Sequence, residues 1–177
     1  MPTDSIPSNS GQTPPKELKV SWEDYHQTVE RLALLIHQSQ WSFDSIICIA
    51  RGGLRVGDIL SRIYRKPLAI LSAQSYGGDI GRDRQDLTLS QSLSTTVARL
   101  GPKMLLVDDL VDSGETLRQS IQWVRSHYGQ DCEMLKSAAL WCKSSSVIVP
   151  DYYVDHIAKE TWISQPFEAY ESYTFSV

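Results

Sequence analysis

The chain is short of cysteine, of positive charge and of long apolar runs, and each shortage excludes something. Cys48, Cys132 and Cys142 are odd in number and show no Cys-x-x-Cys spacing, which argues against a disulfide framework or a zinc site. All three sit in apolar, strand-like stretches, where cysteine behaves as a small core residue; a reducing cytoplasm is the expected location. A net charge of −4 provides no basic field, so neither nucleic acid nor an anionic membrane is expected as a partner. No apolar run approaches the length that crosses a bilayer, and the N-terminus lacks the apolar core of a signal peptide. What is present is ordinary globular composition, 41% hydrophobic and 21% charged over 177 residues, enough for one domain with a full core.

Residues 1–19 hold four of the eight prolines and little apolar content, and read as a disordered or loosely attached tail. Residues 20–177 read as a single domain. Ser21-Trp22-Glu23-Asp24 has the form of a capping box with Asp in place of Glu. Tyr25, Val29, Leu32 and Ile36 follow as the buried stripe of a helix ending near Ser39. Strands are expected over 44–50, 67–73, 134–142 and 152–157, with a helix carrying Val56, Ile59, Leu60 and Ile63 between the first two. Residues 74–86, polar with three glycines, read as a mobile loop. Leu87, Leu89 and Gln91 suggest a short strand leading towards Leu100. Strands alternating with helices predict an α/β fold with a mostly parallel central sheet flanked by helices.

The densest chemistry lies in Met104-Leu105-Leu106-Val107-Asp108-Asp109-Leu110-Val111-Asp112-Ser113-Gly114-Glu115-Thr116. The first four residues are wholly apolar, as a strand covered on both faces should be. Leu117, Ile121, Val124 and Tyr128 then recur at helical spacing, so a helix opens near Gly114 or Glu115. Its first turn offers N–H groups and the positive end of the helix dipole to an anion. Asp108 and Asp109 cannot both be buried as ions without partners; sugar hydroxyls and a Mg²⁺ ion would supply them. The plainer reading is a βα turn capped by Ser113 with solvated acids.

Other turns at expected strand ends could share one site, because ligands of open α/β sheets sit at the carboxyl ends of the strands. Arg51-Gly52-Gly53 places a guanidinium beside two glycines, suited to an anion and equally to a plain turn. Lys143 follows the strand ending Leu140-Trp141-Cys142, and a lone lysine there is usually solvated. Trp162, taken alone, is more often core than ligand platform.

Taken together these segments resemble the type I phosphoribosyltransferases. The run from Met104 to Thr116 is similar to their signature for phosphoribosyl pyrophosphate (PRPP), and Ile49 to Leu54 to their pyrophosphate loop, which often contains a non-proline cis peptide. Asp151-Tyr152-Tyr153-Val154-Asp155 and Thr161 to Glu168 resemble the hood of the xanthine-guanine branch, here mainly residues 143–177. The resemblance spans roughly residues 20 to 170. It implies that Asp108 and Asp109 bind the ribose hydroxyls, directly or through Mg²⁺, with Asp109 the metal ligand. Ser113, Gly114, Glu115 and Thr116 would cradle the 5′-phosphate, and Asp112 would be the general base. Arg51, Gly52, Ser75, Tyr76 and Arg82 or Arg84 would attend the pyrophosphate, with Ser75-Tyr76 opening the loop that closes over the reacting centre. Lys143 would donate to O6 of a 6-oxopurine, Trp162 would stack on its ring, and Ile163 would offer backbone carbonyls. Glu168 would fill the acidic hood position, where the family more often has Asp.

The function so implied is purine salvage: ribose 5-phosphate passes from PRPP to guanine, xanthine or hypoxanthine, and pyrophosphate leaves. A homodimer or homotetramer is the implied assembly. The rival reading is a non-catalytic nucleotide- or PRPP-sensing regulator on the same fold, which the presence of Asp112 disfavours. A third, an acid-triad receiver or phosphatase domain, would leave the Ser-Gly-Glu-Thr turn without a purpose.

Overall fold

The computed structural model describes residues 16–75 and 87–175. In chain order these form β1 (Glu17–Lys19), α1 (Trp22–Gln38), β2 (Ser45–Ala50), α2 (Gly53–Tyr64), β3 (Leu68–Ser75), β4 (Leu87–Leu89) and β5 (Ser94–Thr95). They continue as β6 (Lys103–Val107), β7 (Leu110–Val111), α3 (Glu115–Tyr128), β8 (Met134–Lys143), β9 (Tyr152–Ile157), β10 (Trp162–Ser164) and a single 3₁₀ turn, Glu168–Tyr170.

Strands β3, β2, β6, β8 and β9 lie side by side, all parallel. β7 continues the line of β6 along β8, and β4 and β5 run antiparallel on the outer edge of β3. Side chains of a strand alternate between faces, so each central strand feeds two cores. Ile46, Leu105, Val107, Ala138 and Leu140 face one side, under α1 and α2. Ile47, Ile49, Met104, Leu106 and Ala139 face the other, against Leu117 and Val124 of α3. This double burial is the reason Met104 to Val107 carries no polar residue. Because the strands are parallel, their carboxyl ends share one rim, where Arg51, Asp108 to Thr116 and Lys143 are set.

The expected helix α1 is present with its capping box. Ser21 accepts the Asp24 N–H, Asp24 accepts the Ser21 N–H, and Tyr25, Val29, Leu32 and Ile36 are all buried. Three readings need correction. Ile63 is 49% exposed, because α2 buries only the narrower face of Val56 and Leu60. Cys132 lies in the loop before β8, half-buried, and not in a strand. The tail does not extend to Lys19: Glu17–Lys19 pairs in parallel with Trp162–Ser164, a partner 145 residues away that no local pattern announces. The rest of that tail, residues 1–15, lies outside the described residues.

This pairing predicts that deleting residues 1–19 loosens β10. The Trp162 N–H, which donates to the Lys16 carbonyl at 2.9 Å, should exchange with deuterium roughly fivefold faster or more, the equivalent of one hydrogen bond worth about 1 kcal/mol. Unchanged protection would mean that β1 does not support the strand.

Candidate active site

The acid pair ends β6 and is nearly enclosed. Asp108 and Asp109 are each 8% exposed. Asp108 Oδ1 accepts the Asp109 N–H at 2.9 Å, and Asp109 Oδ1 accepts the Leu110 N–H at 2.7 Å. Asp109 Oδ2 accepts the side-chain amide of Gln165 at 2.7 Å. Burial first, and the neighbouring Asp109 charge second, push the Asp108 carboxyl well above the ordinary carboxylate range. Gly52 and Gly53 lie directly behind the pair. A Cβ on Gly52 would stand 2.3 Å from Asp109 Oδ1, and one on Gly53 2.6 Å from the Val107 carbonyl. Any side chain there would displace the acids or the turn.

The turn that opens α3 follows. Gly114 has φ +82° and caps α3. A Cβ on it would meet Ser146 Oγ at 2.3 Å, so this position needs glycine for conformation and for space. Ser113 and Asp112 are exposed, and Ser113 Oγ accepts the Glu115 N–H at 3.3 Å. Thr116 is half-buried in the first turn of α3. The Glu115 side chain folds back along α3 and accepts from Arg118 Nε at 2.9 Å and from Gln119. Those hydrogen bonds, Arg118 foremost, hold its carboxyl down at about 2. Its charge is therefore paired on the helix flank and leaves its N–H on the turn side.

The loop after β8 packs against this turn. The Val147 N–H donates to the Ser113 carbonyl at 2.9 Å. Lys143, 8% exposed, extends its Nζ to 3.0 Å from Asp112 Oδ2. The residue read as a purine-O6 donor and the one read as general base thus meet at one point. A lysine ammonium has three donors, so one can stay on Asp112 while another meets a ligand oxygen.

Arg51 is exposed at the end of β2, and the Ala50–Arg51 peptide is cis. A cavity of about 760 Å³ opens between Arg51, the end of β3 and Thr88 to Ser90. A second, about 420 Å³, lies between Arg51, Arg55 and the hood residues Phe167 and Tyr170. Ser75 closes β3 opposite Leu87. Tyr76, Arg82 and Arg84 lie outside the described residues.

In the hood, Trp162 is 59% exposed while Ile163 is buried. The Trp162 N–H and the Ser164 carbonyl bond towards β1, so by strand alternation the N–H and carbonyl of Ile163 point to the opposite, open edge. Glu168 is half-buried and begins the 3₁₀ turn. Two residues without a role in the sequence reading also belong here. Gln165 holds Asp109, and Arg55 lies 4.2 Å over the Phe167 ring, tying the hood to α2. Gln165 had one visible signal, a polar residue between the apolar Ile163 and Pro166-Phe167. Arg55 had none.

The donor set suits Mg²⁺. Among the described residues no group of three His, Cys, Asp or Glu side chains could cage a metal. Mg²⁺ usually keeps its waters and takes one or two carboxylates plus substrate phosphates, and Asp109 beside an uncompensated Asp108 meets that need.

A parallel sheet whose carboxyl rim joins a buried acid pair to a helix-opening glycine turn, opposite a glycine-backed arginine and under an aromatic hood, has its candidate site where ligands of open α/β sheets sit. Comparison with known proteins names the family. Residues 21–173 match the phosphoribosyl transferase domain family. Xanthine-guanine phosphoribosyltransferase of Gluconobacter oxydans is 31% identical over 153 residues, covering 84% of this chain and 83% of that protein. The enzyme of the same name from Idiomarina loihiensis is 29% identical, covering 89% and 91%. A purine phosphoribosyltransferase structure from Pyrococcus horikoshii superposes with a TM-score of 0.69 at 28% identity, covering 91% of this chain and 97% of that one. The chain belongs to the type I phosphoribosyltransferases, in the purine group of that family.

Asp108 generates a stability prediction. Its native pKa lies above its unfolded value, so the folded state binds the extra proton and stability falls as pH rises through that window. Asp108→Asn should therefore leave Tm unchanged near about pH 3, where both states are protonated, and raise it at about pH 7. Thermal unfolding across that range checks this; a Tm difference that does not vary with pH would contradict it.

Proposed function

We propose that this protein transfers ribose 5-phosphate from PRPP to N9 of a 6-oxopurine, guanine, xanthine or hypoxanthine, with release of pyrophosphate. The observation that carries the reading is the 3.0 Å contact of Lys143 with Asp112 beside the anion turn, which sets a purine-edge donor and a proton acceptor within one span of a bicyclic base. The xanthine-guanine activity for which the Gluconobacter and Idiomarina relatives are named supports the same base class.

In this reading the turn from Ser113 to Thr116 holds the 5′-phosphate through N–H groups and hydroxyls. The pair Asp108–Asp109 takes the ribose hydroxyls, whose donors relieve two crowded acceptors. Arg51 faces the pyrophosphate, to which the family resemblance also assigns Ser75, Tyr76 and Arg84. Mg²⁺ on Asp109 supplies charge neutralisation for the leaving group. The C1′–O bond to pyrophosphate breaks ahead of the new bond, and its electron pair leaves with the pyrophosphate. The N9 lone pair then closes on C1′, and the purine's proton passes to Asp112. Trp162 stacks on the base, Ile163 reads its exocyclic edge from the open side of β10, and Glu168 stands at the acidic hood position. Lys143 donates to O6. An amino group at that position would leave the donor that faces the base without an acceptor, so adenine is disfavoured. Thiols that stay free, with burial pushing Cys48 up to about 12, suit a cytoplasmic setting, and a homodimer or homotetramer is the assembly we assign by family.

A nucleobase panel with PRPP and Mg²⁺ tests the reading. Pyrophosphate release with 6-oxopurines and not adenine is expected; no turnover with any base would favour a PRPP- or nucleotide-sensing regulator. Asp112→Asn should lower kcat about 10²- to 10⁴-fold while PRPP affinity changes far less. Equal losses in both would remove Asp112 as the base. Lys143→Ala should flatten the preference among bases, and an unaltered profile would take Lys143 out of base recognition.

A further inference from the structure

Gln165 sits in the acid site although no step of the reaction requires an amide there. It follows β10 directly and is 7% exposed. Its Nε2 donates to Asp109 Oδ2 at 2.7 Å, while Oδ1 of the same carboxylate accepts the Leu110 N–H at 2.7 Å. Gly52 packs against the same carboxylate, since a Cβ there would lie 2.3 Å from Oδ1 and 2.6 Å from Oδ2. The carboxylate is thus gripped by its own turn, by the Arg51 loop and by the hood. The Leu110 contact is between chain neighbours and permits rotation about the side chain. The Gln165 contact reaches across 56 residues and selects one orientation.

This grip is held against a penalty. Among the described residues Gln165 Oε1 is buried without a hydrogen-bond partner, as is the hydroxyl of Tyr25, whose ring packs on Phe167 two residues after Gln165. A side chain present for packing alone would be apolar and would leave no such carbonyl stranded. The donor end of the amide is what the site uses.

We propose that Gln165 is a positioning residue that fixes the Asp109 carboxylate for the ribose and Mg²⁺ side of PRPP and links that acid to the purine hood. The link is short. Trp162, where the base stacks, is three residues away, and the segment between is pinned to β1 by the Trp162 N–H to Lys16 carbonyl and Val20 N–H to Ser164 carbonyl bonds, 2.9 and 3.0 Å. The proposal rests on the phosphoribosyl-transfer reading above.

Two variants test it. Gln165→Met keeps the volume and removes the donor; Gln165→Glu keeps the shape and sets an anion against Asp109. The measurements are the dissociation constant of PRPP with Mg²⁺ by calorimetry without purine, the Tm, and the KM of each substrate. Gln165→Met should weaken PRPP binding roughly tenfold, the scale of a lost hydrogen bond to a charged group, and Gln165→Glu more. The Tm of Gln165→Met should stay within about 2 °C of the parent, with the purine KM at saturating PRPP nearly constant. PRPP affinity equal in the parent and both variants overturns the positioning role and leaves the transfer reading standing. Parallel losses in PRPP and purine affinity with a clearly lowered Tm would mark a packing residue and also overturn it. A parent protein that binds no PRPP sinks the transfer reading, and this inference with it.

Discussion

Two carboxylates buried side by side at the end of a parallel strand are the constraint on which the rest of this structure turns. Like charges this close, and this dry, are unfavourable, and the surrounding chain is arranged around tolerating them. Asp108 and Asp109 each draw in a backbone N–H of the next residue, and Gln165 adds a third donor from the hood. The residues at 52 and 53 are glycine because the acids and the strand end come too close for a side chain. A site so short of compensating charge gains most from a ligand that brings hydroxyl donors and a cation, and any such ligand bound to the folded state would recover stability given up at the acid pair.

The second organising feature is that the turn opening α3 and the loop after β8 share a wall. Gly114 is pressed against Ser146, and the Val147 N–H holds the Ser113 carbonyl. Lys143 reaches across to Asp112. The turn after Asp112 and the loop after β8 therefore share the same few backbone atoms, joined by packing.

From β10 onward the hood is attached by side-chain contacts, not by strand pairing with the central sheet. Phe167 lies against Tyr25 of α1 and under Arg55 of α2, Gln165 bonds Asp109, and among the described residues β10 pairs with β1 alone. Glu115, which from its position stands against the phosphate, is drawn aside by Arg118 and Gln119, so the turn keeps its affinity for an anion.

Much of this was legible in order along the chain. The apolar run of Met104 to Val107, the stripe of Tyr25, Val29, Leu32 and Ile36, and the capping box at Ser21 are local signals, and local signals survive folding. The type of sheet, and the rim on which Asp108 to Thr116 stand, followed from them. The partners of those residues did not. That Lys143 meets Asp112, that Gln165 holds Asp109, that Arg55 covers Phe167 and that Glu17–Lys19 forms a strand are contacts between residues far apart in sequence. Periodicity and capping depend on neighbours three or four positions away, whereas these pairings depend on which strand ends the parallel sheet brings to one rim. Composition and pattern alone determined the elements and the chemistry available; only the packed sheet decided which charges would face each other.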